Sequence, residues 1–77
     1  MINSNQKLKT EYIIYDGRAV NEEGKEKAMA LSFCETLKEA IEEAPAYGDG
    51  CCVWEALISY LPNNKFKIIH EKFITMI

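Results

Sequence analysis

Residues 36–60 read TLKEAIEEAPAYGDGCCVWEALISY, and this stretch decides the fold class. Thr36 stands three residues before Glu39, the spacing of a capping box. The Thr36 hydroxyl accepts from the backbone near Glu39, and Glu39 reaches back to the Thr36 N–H. Leu37, Ala40, Ile41 and Ala44 then recur at i, i+3, i+4 and i+7, the stripe of an amphipathic helix of about three turns. Pro45 disfavours helical geometry at Ala44, and Gly48 and Gly50 complete the stop. From Cys51 the period changes to two. Cys52, Trp54, Ala56, Ile58 and Tyr60 share one face of a strand, and Cys51, Val53, Glu55, Leu57 and Ser59 share the other. The first, bulkier set is expected to meet the helix.

Upstream, Glu11–Asp16 (EYIIYD) is rich in strand formers and apolar on both faces, as in a central strand or one covered on both sides. Arg18–Val20 are read as extending it past a bulge at Gly17. Asn21–Lys25 is a polar turn with Gly24 available for positive φ. Lys27–Cys34 alternates large residues (Met29, Leu31, Phe33) with small ones, which predicts a second strand. A helix over Lys27–Leu31 is the competing reading on propensity. Downstream, Leu61–Lys65 (LPNNK) is a turn, with Pro62 presetting φ and the asparagines tolerating left-handed geometry. Phe66–Thr75 is the last strand. Its apolar phase slips near Ile69 or His70, which a bulge absorbs; a helix from Ile68 is the alternative. Residues 1–10 are polar and aperiodic and are read as a flexible lead-in to one α+β domain over 11–77. The expected architecture is β-β-α-β-β: a four-stranded antiparallel sheet with one helix packed on one face.

The chain has 77 residues, 48% apolar and 27% charged, with net charge −3. These figures exclude a multidomain enzyme and a broadly basic nucleic-acid binder, and they leave little apolar material for a buried cofactor pocket beside the core. A signal peptide needs an apolar run of about 7–15 residues near the start, and a membrane span about 20. Neither is present, so a cytoplasmic location is expected.

Cys34, Cys51 and Cys52 are an odd set without zinc-ligand spacing, and His70 is the sole histidine. They are read as small buried hydrophobes. Cys51 and Cys52, as strand neighbours, point to opposite faces. There is no nucleophile elbow, no phosphate loop and no calcium-loop ligand series around Gly48-Asp49-Gly50. Neither metal, cofactor nor catalytic residue is expected. A small enzyme or ligand-binding module built on the cysteines and His70 is the alternative.

Charge is more informative. Glu35, Glu39, Glu42, Glu43 and Asp49 are opposed only by Lys38 within their stretch, and Glu39, Glu42 and Glu43 form one helix stripe. These five are the candidate partner-binding residues. Their bland reading is a solvated helix face. Their sharper reading is a surface that engages a basic partner protein, such as a groove that normally holds nucleic acid. Lys65, Lys67 and Lys72 make the last strand locally basic, which guards an edge strand against aggregation. Direct nucleic-acid binding and membrane binding are not expected. The sheet face away from the helix is expected to keep Val53, Leu57, Ile13 and Tyr15 open, and an obligate homodimer or other oligomer would cover it.

The segment from Tyr12 to Trp54, with YIIYDGRAV, an acidic loop, a strand and then ETLKEAIEEAPAYGDGCCVW, resembles small phage or mobile-element proteins with a strand–DGRA–strand–helix–strand layout. Some tiny acidic proteins of this kind are anti-CRISPR or other anti-defence inhibitors. The resemblance implies inhibition by stoichiometric binding, without catalysis, and transfers no residue roles.

Overall fold

A computed structural model describes residues 7–24 and 28–77, with residues 21–23 as backbone only. The elements are β1 (Lys7–Asp16), α1 (Gly17–Glu23), β2 (Ala30–Cys34), α2 (Leu37–Glu43), a 3-10 turn (Ala44–Tyr47), β3 (Cys51–Tyr60) and β4 (Phe66–Met76). The fold is mixed α+β, with one four-stranded sheet in the order β2-β1-β3-β4 and antiparallel neighbours throughout. No described helix is long and apolar enough to cross a membrane.

β1 is central, as its two apolar faces predict, and Ile13, Ile14 and Tyr15 are all buried. It begins at Lys7, so Lys7–Thr10 belong to the sheet and not to a lead-in. They pair with Tyr60 to Leu57 of β3, whose length pulls them in. Residues 1–6 lie outside the described residues.

Where Arg18–Val20 are expected to extend the strand, the chain turns into α1 instead. Asp16 is the reason: its carboxylate accepts from the Arg18 N–H at 2.9 Å and caps the helix. The Gly17 N–H donates to the Gly50 carbonyl at 2.9 Å. A Cβ on Gly17 would lie 2.2 Å from that oxygen. Gly17→Ala therefore forces the α1 start away from the turn before β3. A loss of about 1–3 kcal/mol is expected from overpacking, read as a lower urea midpoint. An unchanged midpoint would show that this contact is not formed in solution.

β1 is antiparallel to both β2 and β3, so β2 and β3 run parallel with β1 between them. The link through α2 is thus a crossover, and the hand of crossovers is strongly biased. This explains a correction. α2 does not meet the bulky Cys52–Tyr60 set. It packs Ala40 and Ala44 with Ile14, Cys34, Cys51 and Val53, with Leu37 and Tyr12 alongside. Topology chooses the face, and small residues on the helix let it sit close. Val53 is therefore covered by α2, not open. Thr36 caps α2 as predicted, its hydroxyl accepting from the Glu39 N–H at 3.1 Å.

The bulky face carries Ile13, Tyr15, Cys52, Ala56 and Ile58 in a second core cluster. Val20 of α1 packs against it, so one helix on one face is incomplete: a second short helix lies on the other side. The sheet itself covers the rest. Strands lie about 4.8 Å apart, so the edges of a flat four-stranded sheet stand about 14 Å apart. Yet Phe33 on β2 and Phe66 on β4 touch edge to face, with ring centroids 5.6 Å apart. The sheet must curl around this face. Register shifts supply the curvature: Leu31 is the extra residue on β2, and Ile69 and Ile74 are extra on β4. The bulge at Ile69 is the slip that the apolar phase predicts. The bulge at Leu31 is not. It breaks the Met29-Leu31-Phe33 alternation, so Ala30, not Leu31, stands opposite Tyr15. Lys27, the predicted strand start, lies outside the described residues. The last segment is strand throughout, and Asn63 and Asn64 take φ of 70° and 62° in the turn before it.

Candidate functional site

The curl creates a cleft of about 480 Å³ between the two edge strands. Met29, Phe33 and Phe66 form its rim, exposed by 81%, 41% and 50%. Ala30 and Ile68 line its walls. Tyr15 and Glu71 form its base, where the Tyr15 hydroxyl donates to the Glu71 carboxylate at 3.3 and 3.4 Å. Tyr60, tilted against Phe66 with centroids 6.2 Å apart, donates to the buried Glu11 carboxylate on the same face. Apolar walls with a few converging polar groups are the usual make-up of a recognition pocket. A cavity of this size beside the core is not what the composition leads one to expect. It costs no extra core volume, because it lies open between two strand edges instead of inside.

Burial, then the charge and hydrogen bond of Glu71, push the Tyr15 phenol above its ordinary value near 10. The folded state disfavours the phenolate. That contribution to stability is complete below the ordinary pKa and is lost as pH climbs beyond it. In an alkaline titration followed by phenolate absorbance, Tyr15 is expected to ionise together with unfolding above pH ~10. Tyr15→Phe should flatten the fall of the denaturant midpoint in that range. An equally steep fall in the variant would remove Tyr15 from the explanation.

Glu39, Glu42 and Glu43 of α2 fall on the other side of the sheet, whereas Glu35 meets Lys9, which shares the cleft face with Glu11 and Ile13, so the five predicted acids are not equivalent. Glu35 is bound to Lys9 at 2.8 Å, which holds its carboxyl below the usual range. Glu43 accepts from the Tyr47 hydroxyl at 3.0 Å, and the nearby Ser32 and Tyr47 hydroxyls hold its carboxyl below the usual range. Glu39, Glu42 and Asp49 are exposed. Helical spacing puts Glu39 and Glu43 on the β2 side of α2, so the β2 edge borders both the acids and the cleft rim. The acids of α2 and the cleft are otherwise back to back.

The cysteines are free and buried, with Cys51 in one core cluster and Cys52 in the other. Burial pushes all three thiols up, which keeps them protonated and poorly nucleophilic at neutral pH. His70 is exposed opposite Leu57 on the face that bears α2. No cluster of three or more metal-ligating side chains occurs among the described residues.

Sequence reading finds the acids and misses the cleft. Phe33 and Phe66 lie 33 positions apart on opposite edges, and no local pattern joins them. No family model, curated protein or solved structure matches the chain.

Proposed function

We propose that this chain is a non-enzymatic binding module that occupies a partner protein stoichiometrically, with the cleft between β2 and β4 as the main contact. The observation that carries this reading is the exposure of Met29, Phe33 and Phe66 around a cavity with an acid at its base. Large apolar side chains held open at a concave rim mark an interaction site, and aromatic residues dominate binding energy. The occupant that fits is a protruding partner side chain with an apolar stem and a cationic head, an arginine or lysine. Its stem lies against the Phe33 and Phe66 rings, where cation–π attraction adds to burial, and its head reaches Glu71.

The most concrete version is a phage-type, anti-CRISPR-like inhibitor that covers a basic, nucleic-acid-binding surface of its partner. Glu39, Glu42 and Asp49 then speed the encounter by charge complementarity more than they hold the complex. Paired affinity capture tests this. The wild-type chain retains a basic protein in equal amount, and Met29→Lys, which sets a like charge against the cationic occupant, loses it while its melting curve stays unchanged. Self-association through the cleft, or capture that Met29→Lys leaves intact, would refute it.

A further inference from the structure

A second concavity, of about 730 Å³, lies on the opposite face, the one that bears α2. α2 and the turn after it cover only the Cys51–Val53 end of that face. The other end is open. The pairing places Leu8, Ser59 and Lys67 in one row across β1, β3 and β4, and Thr10, Leu57 and His70 in the next. Leu8, Leu57, Leu61 and Ile69 make the groove apolar, with Leu8 and Ile69 exposed by 47% and 53%. Two polar groups break this surface. Ser59 lines the groove and is 4% exposed, and its hydroxyl has no hydrogen-bond partner among the described residues. A buried hydroxyl without a partner is costly. Directly across the strand pair, within about 5.5 Å between Cβ atoms, stands Lys67. It is exposed and takes part in no ion pair with a described residue. The nearest carboxylate on this face is Glu55, one row beyond Leu57, where it accepts from the Tyr12 hydroxyl at 3.1 Å.

We propose that this groove binds a small apolar carboxylate. An aliphatic chain of medium length lies over Leu57 between Leu8, Leu61 and Ile69. Its carboxylate sits on the Lys67 ammonium and accepts from the Ser59 hydroxyl. The charge of the rim selects an anion, the floor selects a hydrocarbon tail, and the unsatisfied donor supplies a fixed point between them. The cavity falls within the roughly 300–1,000 Å³ of ordinary ligand sites. The inference stands apart from the cleft on the other face and does not depend on it.

Octanoate is the probe, followed by amide chemical shifts in an NMR titration of the whole chain. Saturable shifts are expected at Leu57, Ser59 and Lys67, and not around Phe33 and Phe66. Octan-1-ol, which lacks the charge, and acetate, which lacks the tail, should each bind about tenfold or more weakly. Lys67→Met, at an exposed site that keeps the aliphatic stem, should weaken octanoate by a similar factor, the scale of one charged hydrogen bond. The proposal is overturned if octanoate does not saturate these amides, if octan-1-ol binds as well, or if Lys67→Met changes nothing. It is equally overturned if sedimentation shows a dimer that buries the groove and that octanoate does not compete with.

Discussion

Ile13→Ala is expected to leave a large fraction of the molecules unfolded in plain buffer. Ile13 is completely buried, on a central strand, with Phe33 opposite it on one side and Trp54 on the other. Phe73 completes the row across the sheet, its ring 5.7 Å from that of Trp54. Removing a buried isoleucine to alanine costs about 2–5 kcal/mol, and the upper part of the range applies where neighbours cannot close the gap. Here they cannot: β1 and β3 are each fixed by hydrogen-bond ladders on both sides. A chain of this size with two small core clusters, one on each sheet face, and no disulfide among its described cysteines has about 3–5 kcal/mol in total. The two quantities are equal in scale, so one side chain decides whether the fold persists. Urea unfolding followed by Trp54 fluorescence reads the effect, and Ile13→Val, at about 0.5–1.5 kcal/mol, should keep a cooperative transition. A full-height native baseline in Ile13→Ala would place the core elsewhere.

The second large effect concerns binding. Met29→Lys changes a side chain that is 81% exposed, so the folded state loses almost nothing. It does bring an ammonium to the rim of a cleft whose acid, Glu71, is meant for the partner's cation. A cationic occupant then meets a like charge and loses its apolar contact. Truncating a hot-spot residue costs at least about 2 kcal/mol, or roughly thirtyfold in affinity. Phe66→Ala should do the same with a small loss of stability, since the Phe33 contact goes with it. Reversing Glu39, Glu42 and Glu43 together should act differently, slowing association a few-fold in a salt-dependent way. If the triple reversal abolishes capture and the cleft variants do not, the helix face is the contact.

Much of the fold is legible residue by residue. The Thr36 cap, the Leu37, Ala40 and Ala44 positions of the helix stripe, the LPNNK turn and the phase slip at Ile69 are all local signals with the predicted structural outcome, whereas Ile41, the fourth member of the stripe, is 42% exposed because α2 seats its small residues on the sheet. What is not legible is which surfaces meet. The bulk of Trp54, Ile58 and Tyr60 points to a helix partner. The crossover from β2 to β3 puts α2 on the Cys51–Val53 side instead, and the sheet curls to bury the other. Helix α1 is missed because the strand formers of YIIYD (residues 12–16) run straight into it; the Asp16 cap is its one local sign. The candidate cleft depends on a contact between two sheet edges, which no spacing in the chain encodes. The acids are visible in the sequence, but their differing engagement with Lys9, Ser32 and Tyr47 is a property of the assembled structure.

β1 is made first and ends up in the middle. Its partners on β3 lie between 35 residues (Asp16 to Cys51) and 53 residues (Lys7 to Tyr60) further along the chain. At roughly 5–20 residues per second of synthesis, that separation is a wait of some seconds. During it, EYIIYD leaves the ribosome with one flank bare and only the β2 hairpin to lean on. Lys7 and Lys9 at its leading end, and Glu22, Glu23 and Glu26 just after it, are the charges that accompany this apolar strand through that interval.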